Sequence, residues 1–194
     1  MTGMFPLARR LSDGYDQQQV EEFFTRARRA YEAGAIEGVI GAAPTADGVM
    51  ISEHDVRQAA FDLVRSGYDT NAVDSALDRL EAAMVQRRRE VYIAHHGEEA
   101  WLEEIAERAT TLYPRLVRPA GERFAPPHGG RGYDRAAVDA LMERLIAYFD
   151  AGGELSAAEV RTATFPAARP PNAYAEGVVD AYLDRAVEVL LAVE

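Results

Sequence analysis

Few side chains in this sequence have the type and spacing for chemistry. His95 and His96 are the nearest thing to a metal-binding pair. Adjacent residues on a helix point apart, and no third ligand accompanies them in sequence, so no metal site is expected. His54 sits inside a helix-capping stretch, which predicts an exposed side chain and not a general base. Glu98-Glu99 and Glu103-Glu104 offer paired carboxylates, but near the start of a helix such acids complement the dipole. The absence of cysteine removes thiol nucleophiles, thiolate metal sites and disulfides. The glycine clusters lack the lysine and the strand-to-helix setting of a phosphate loop. No catalytic residue and no cofactor is therefore expected, and the chain reads as a non-enzyme.

The residues that recur belong to packing and capping. Four times a tyrosine is followed five positions later by a valine, and that valine by an acid. The copies are Gly14-Tyr15-Asp16 with Val20-Glu21, Gly67-Tyr68-Asp69 with Val73-Asp74, Gly132-Tyr133-Asp134 with Val138-Asp139, and an eroded Tyr174 with Val179-Asp180. A fixed spacing used repeatedly marks one structural unit. With Asp16 as N-cap, Tyr15 is the residue just outside the helix and Val20 its fourth position, the arrangement of a hydrophobic staple. The aspartate accepts an orphan N–H of the first turn, and Gln19 at the third helical position predicts a capping box. The glycine before each tyrosine predicts a sharp turn, with positive φ as one way to make it. Ala173-Tyr174-Ala175 keeps the staple and loses the cap, which predicts a frayed helix start.

A second element recurs. Ile51-Ser52-Glu53-His54-Asp55-Val56-Arg57 matches Leu155-Ser156-Ala157-Ala158-Glu159-Val160-Arg161, with Ser52 and Ser156 as N-caps and Asp55 and Glu159 as the acids of capping boxes. Each leads to a phenylalanine, Phe61 or Phe165, and then to the next tyrosine. The chain reads as duplicated, unit one resembling unit three and unit two resembling unit four.

A phenylalanine, a short turn, Gly-Tyr-Asp, three variable residues, Val-Asp/Glu and a Phe/Leu pair together resemble the N-terminal DivIVA domain of Gram-positive bacteria. The tandem form, with Phe61-Asp62-Leu63-Val64-Arg65-Ser66-Gly67-Tyr68-Asp69 leading into Ala76-Leu77-Asp78-Arg79-Leu80, is similar to actinobacterial DivIVA-domain repeat proteins. The likeness covers nearly the whole chain. It implies an adaptor or scaffold that meets division or polarity proteins at the septum or pole. In membrane-binding family members an exposed Phe-Arg pair precedes Gly-Tyr; here the matching pairs are Ser12-Asp13, Arg65-Ser66, Gly130-Arg131 and Pro171-Asn172, none of them aromatic. The family's long coiled coil is also missing, so its filament assembly is not implied. Alternatives are a peripheral membrane-associated polarity protein, and a small helical ligand-binding protein or enzyme on the same fold.

Composition fits an interaction protein. The net charge of −11 disfavours nucleic acid and anionic membrane as primary partners. Every basic residue is arginine, consistent with coding bias. Nothing approaches the roughly 20 apolar residues of a membrane span, and the first residues lack a signal peptide's apolar stretch, so a cytoplasmic location is expected. Other proteins are the expected partners, with self-association as a further outcome. Arg87, Arg88, Arg89 and Trp101 are candidates for a partner surface, although the arginines also read as a charged helix face and Trp101 as core. Arg9-Arg10 and Arg26, Arg28 and Arg29 are weaker candidates for an acidic lipid or tail.

Helical periodicity predicts helices over about 16–34, 52–65, 69–94, 98–112, 134–151, 156–164 and 176–192, with no sheet because no segment alternates with period two. Val73, Leu77, Leu80, Met84 and Val91 form a heptad-like seam. Pro114, Pro119, Pro126, Pro127, Gly129 and Gly130 mark a linker. The expected architecture is all-α: tandem short helical hairpins, four DivIVA-like units in a duplicated arrangement, with one extra bridging helix. The expected domains are 1–113 and 132–194, joined by the linker 114–131. A hairpin this small cannot bury enough apolar surface alone, so units one and two should pack around a pseudo-twofold, and three and four likewise.

Overall fold

The computed structural model describes residues 3–9 and 12–194, so Arg10 lies outside the described residues. The fold is mostly helical with a few short strands. It divides into two compact units, Met1–Gly97 and Glu98–Glu194.

The first unit runs β1 (Asp13–Tyr15), α1 (Gln17–Glu32), α2 (Glu53–Arg57), β2 (Leu63–Arg65) and α3 (Thr70–His96). β1 and β2 pair antiparallel, Tyr15 opposite Leu63. The second runs α4 (Glu98–Thr110), α5 (Tyr113–Leu116), β3 (Gly132–Asp134), α6 (Arg135–Ala151), α7 (Ala157–Arg161), β4 (Ala167–Ala168), β5 (Ala173–Tyr174) and α8 (Glu176–Val193). Here β3 is central, with β4 and β5 on either side. The expectation of no sheet is thus corrected. Strands of two or three residues are too short to write an alternating pattern; β1, β3 and β5 fall on tyrosine motifs that lead into helices, and β2 and β4 are segments that pair with β1 and β3.

The helix starts follow their caps. Asp16, Asp69 and Asp134 each accept the N–H of the residue three further on, at 2.9, 3.0 and 3.0 Å. Ala175 offers α8 no side-chain cap. Ser52 and Ser156 close full capping boxes with Asp55 and Glu159. Gln19 does not close one. Its amide instead exchanges two hydrogen bonds with Asp62, side chain to side chain and backbone N–H to side chain, each 2.8 Å. The expected helix over 52–65 ends at Arg57, because the chain must turn back to lay β2 along β1.

The boundary expected at 114–131 falls instead at Gly97. Helix α4 packs on α8, and the Trp101 indole donates to the Ala192 carbonyl at 3.3 Å. The proline-rich stretch is no free linker, since Leu116, Arg123 and Phe124 are buried in the core of the second unit. Prolines there shape a path across the core that carries its own anchors.

One capping box gives a pH prediction. Hydrogen bonds from Arg144, then from the Ser156 backbone and hydroxyl, hold the Glu159 carboxyl down at about 2, from an ordinary value of 4.5. A lowered acid stabilises the fold above its unfolded value, and that contribution fades as pH falls from 4.5 toward 2. Carbon-detected NMR titration should find Glu159 well below a free glutamate, and Arg144→Ala should raise it.

Candidate functional site

The four tyrosines converge in pairs. In the first unit the backbones of Tyr15 and Tyr68 exchange both N–H···O bonds, at 2.9 and 2.8 Å, as an antiparallel bridge between the two turns. Val20, Tyr68 and Val73 form one buried cluster, and Phe5, Tyr15 and Phe61 pack against it. Rings and valines from both copies are therefore pooled, rather than each ring closing over its own helix alone.

The hydroxyls identify what the conserved spacing of the acid does. Tyr68 donates to Glu21, the acid that follows Val20 in the other copy. Tyr15 in turn faces Asp74, the acid that follows Val73, closely enough for that carboxylate to add to burial in raising its phenol pKa. Each tyrosine thus reaches across to the partner copy's acid. Burial raises both phenol pKa values, and the facing carboxylates raise them further. Partial burial also raises Asp74, a shift the Tyr15 hydroxyl opposes and Asp78 and Asp69 reinforce.

The second unit makes the corresponding exchange. Tyr133 pairs with Tyr174 across β3 and β5. The Tyr174 hydroxyl lies 3.2 Å from each carboxylate oxygen of Asp139, and Tyr133 faces Asp180, whose charge adds to burial in raising its phenol pKa. Burial again leads the upward shift of both phenols and of Asp180. Val138, Val179 and Tyr174 are fully buried. The supporting contacts also correspond. Met4 N–H donates to the Tyr68 oxygen at 2.9 Å, and Arg123 N–H to the Tyr174 oxygen at 3.2 Å. Phe5 and Phe124 meet those two rings edge-on, at 5.5 and 5.3 Å between centroids. Phe61 and Phe165 meet Tyr15 and Tyr133, at 5.4 and 5.1 Å.

The glycines before the tyrosines are required by this close approach and not by a left-handed turn, since none of Gly14, Gly67 and Gly132 has positive φ. A Cβ on Gly14 would stand 2.3 Å from the Tyr68 carbonyl oxygen. On Gly67 it would meet the Gly14 carbonyl at 2.4 Å, and on Gly132 the Tyr174 carbonyl oxygen at 2.0 Å.

Around these crossings lie buried charges that periodicity did not reveal. In the first unit α2 and α3 are joined by Arg57–Glu81 at 2.7 Å and Arg88–Glu53 at 2.9 Å, with Glu81 only 2% exposed. In the second, Arg123 is buried and bonds the Asp139 carbonyl at 3.1 Å and the Glu143 carboxylate, while Gly121 N–H donates to Asp139 at 2.7 Å. An arginine in a proline-rich segment looks like a surface residue, so nothing in the sequence marked Arg123 as core.

The residues expected at a partner surface do not form one. Trp101 is buried against α8. Arg88 turns inward to Glu53. Arg89 is half-buried, and Arg87 alone of the three is exposed, on the rim of a groove beside the 33–44 segment. His54 is exposed, His95 Nδ1 lies 2.8 Å from the Val91 carbonyl and can donate to it, and the His96 ring meets Tyr92 at a tilt, 4.7 Å between centroids. Arg28 and Arg29 are ion-paired with Glu32 and Asp47. Among the described residues no helix is long and apolar enough to cross a membrane.

No protein-family model, curated protein or solved structure matches this chain.

Proposed function

We propose that the protein is a non-enzymatic adaptor of the DivIVA-domain type, in which four tyrosine units, three of them Gly-Tyr-Asp and one eroded, are arranged as two crossed pairs within one polypeptide. The single observation that carries this reading is the crossing between copies: Tyr68 donates to Glu21 and Tyr174 to Asp139, while Tyr15 and Tyr133 face Asp74 and Asp180. A lone helical hairpin would need a second chain to bury its turn; a tandem chain supplies the second hairpin itself. The motif residues are occupied with holding the turns, which leaves outward surfaces for recognition. The groove beside 33–44 is lined by apolar side chains and Arg87, and such a surface suits a protein segment better than a reaction.

The adaptor would work in the cytoplasm at the septum or pole, with division or polarity proteins as partners. A fluorescent fusion in a polar-growing actinobacterium should form foci at those places. Diffuse fluorescence from the unmutated fusion would contradict the reading.

A second reading is peripheral membrane contact. Leu63, 63% exposed, lies on β2 two residues before the exposed Arg65-Ser66 pair that matches the aromatic tip of membrane-binding DivIVA domains. It predicts co-sedimentation with anionic liposomes that Leu63→Asp weakens and high salt abolishes.

A further inference from the structure

The two units join corresponding helices by very different routes. Helix α6 reaches α7 through residues 152–156, whereas α1 reaches α2 through residues 33–52. Five residues are enough for the connection, so the longer segment is not needed to close the fold. Loops of that length without secondary structure in a compact unit are usually either functional elements or disordered or linker segments.

This one is ordered. Its ends are tied by a bridge between Ile36 and Ile51, both buried. Its tip is closed by Thr45, whose N–H donates to the Val49 carbonyl at 2.9 Å and whose hydroxyl bonds Asp47 at 2.8 Å. Asp47 also pairs with Arg29 of α1 at 2.8 Å. The result is an Ω-loop, closed at the base and fastened to its neighbours.

Between this loop and α3 lies a groove of about 350 Å³. Ile36, Val39, Ile40, Pro44 and Val91 are among its lining residues, and Ile40 remains 39% exposed. Its one charged lining residue is Arg87, which is exposed and forms no ion pair with a described residue. The groove's one charged lining residue is positive, which complements a carboxylate locally.

We propose that the 33–44 groove docks an acidic peptide segment of another protein, an aliphatic or aromatic side chain entering between Ile40 and Val91 while a neighbouring carboxylate pairs with Arg87. This rests on the adaptor reading and gives it a recognition site. The carboxylate would form a forked, charge-assisted pair with the guanidinium, and the apolar anchor would bring burial.

A random-peptide display selection on the whole folded chain tests it. Enriched peptides should carry Asp or Glu next to a large apolar residue. Their synthetic versions should lose about tenfold or more in affinity to Arg87→Glu and to Ile40→Asp, with unchanged circular dichroism. Retained affinity in both variants, enrichment of basic peptides, or no enrichment at all would overturn the proposal. Dimerisation of the chain that Ile40→Asp abolishes would overturn it in favour of a second copy as the occupant. Septal or polar foci with no peptide bound at this face would defeat the groove and leave the adaptor reading standing. Peptide binding without foci would do the reverse.

Discussion

Gly67→Val is expected to destabilise the first unit by about 4 kcal/mol, at the severe end of single substitutions. Any Cβ at this position meets the Gly14 carbonyl carbon and oxygen, both at 2.4 Å, and the Tyr15 carbonyl oxygen at 2.5 Å. Those atoms are backbone, so no rotamer change relieves the clash. The two turns must separate, and with them go the paired bonds between Tyr15 and Tyr68 and the burial of Tyr68. Amide hydrogen exchange should lose protection through α1 and α3. Gly177→Val is the control, because nothing lies within 4 Å of a Cβ there; within α8 valine has a higher helix propensity than glycine, so it should be neutral or stabilise by a few tenths of a kcal/mol.

The second large effect concerns the ion pairs between α2 and α3. Removing one partner strands a buried charge, so Glu81→Ala and Arg57→Ala should each cost about 3–5 kcal/mol. Replacing both residues with methionine removes the desolvation penalty together with the attraction. The double variant should lie near the unmutated protein or above it in urea denaturation. Losses in the double variant that equal the sum of the single losses would show that Arg57 and Glu81 act independently, against the 2.7 Å contact between them.

Local rules made the helix starts legible. A tyrosine, an aspartate and a valine at fixed spacing specify a capped first turn, and Asp16, Asp69 and Asp134 cap their helices. The Ser52 and Ser156 boxes were readable for the same reason, and Ala175 leaves α8 without a side-chain cap. What spacing within one copy cannot convey is which copy receives each hydroxyl. Glu21, Asp74, Asp139 and Asp180 look like first-turn acids placed for the helix dipole, yet each faces a tyrosine of the other copy, and Glu21 and Asp139 accept its hydroxyl. The glycines were misleading in a similar way. Their chemistry permits both a left-handed turn and a close approach, and the local sequence does not distinguish the two.

Charged and proline-rich stretches misled for a different reason. Arg57, Arg88 and Arg123 carry long side chains whose heads find carboxylates inside the fold, and composition alone places arginine on the surface. The segment over 114–131 has the residues of a linker but contributes Leu116, Arg123 and Phe124 to a core. Helix α4 has a plain apolar stripe, so its existence was legible; that Trp101 would meet α8 was not, because the contact spans 91 positions.

The claim on which the fold account depends is that each tyrosine is held by the other copy's acid. Double-mutant cycles on the first unit test it most directly, combining Tyr68→Phe with Glu21→Gln in one cycle and with Asp74→Asn in another. A hydrogen bond to a carboxylate at a partly exposed site should give about 1 kcal/mol of coupling between Tyr68 and Glu21, and close to none between Tyr68 and Asp74. Coupling of Tyr68 to Asp74 in its own copy, with none to Glu21, would contradict the exchange.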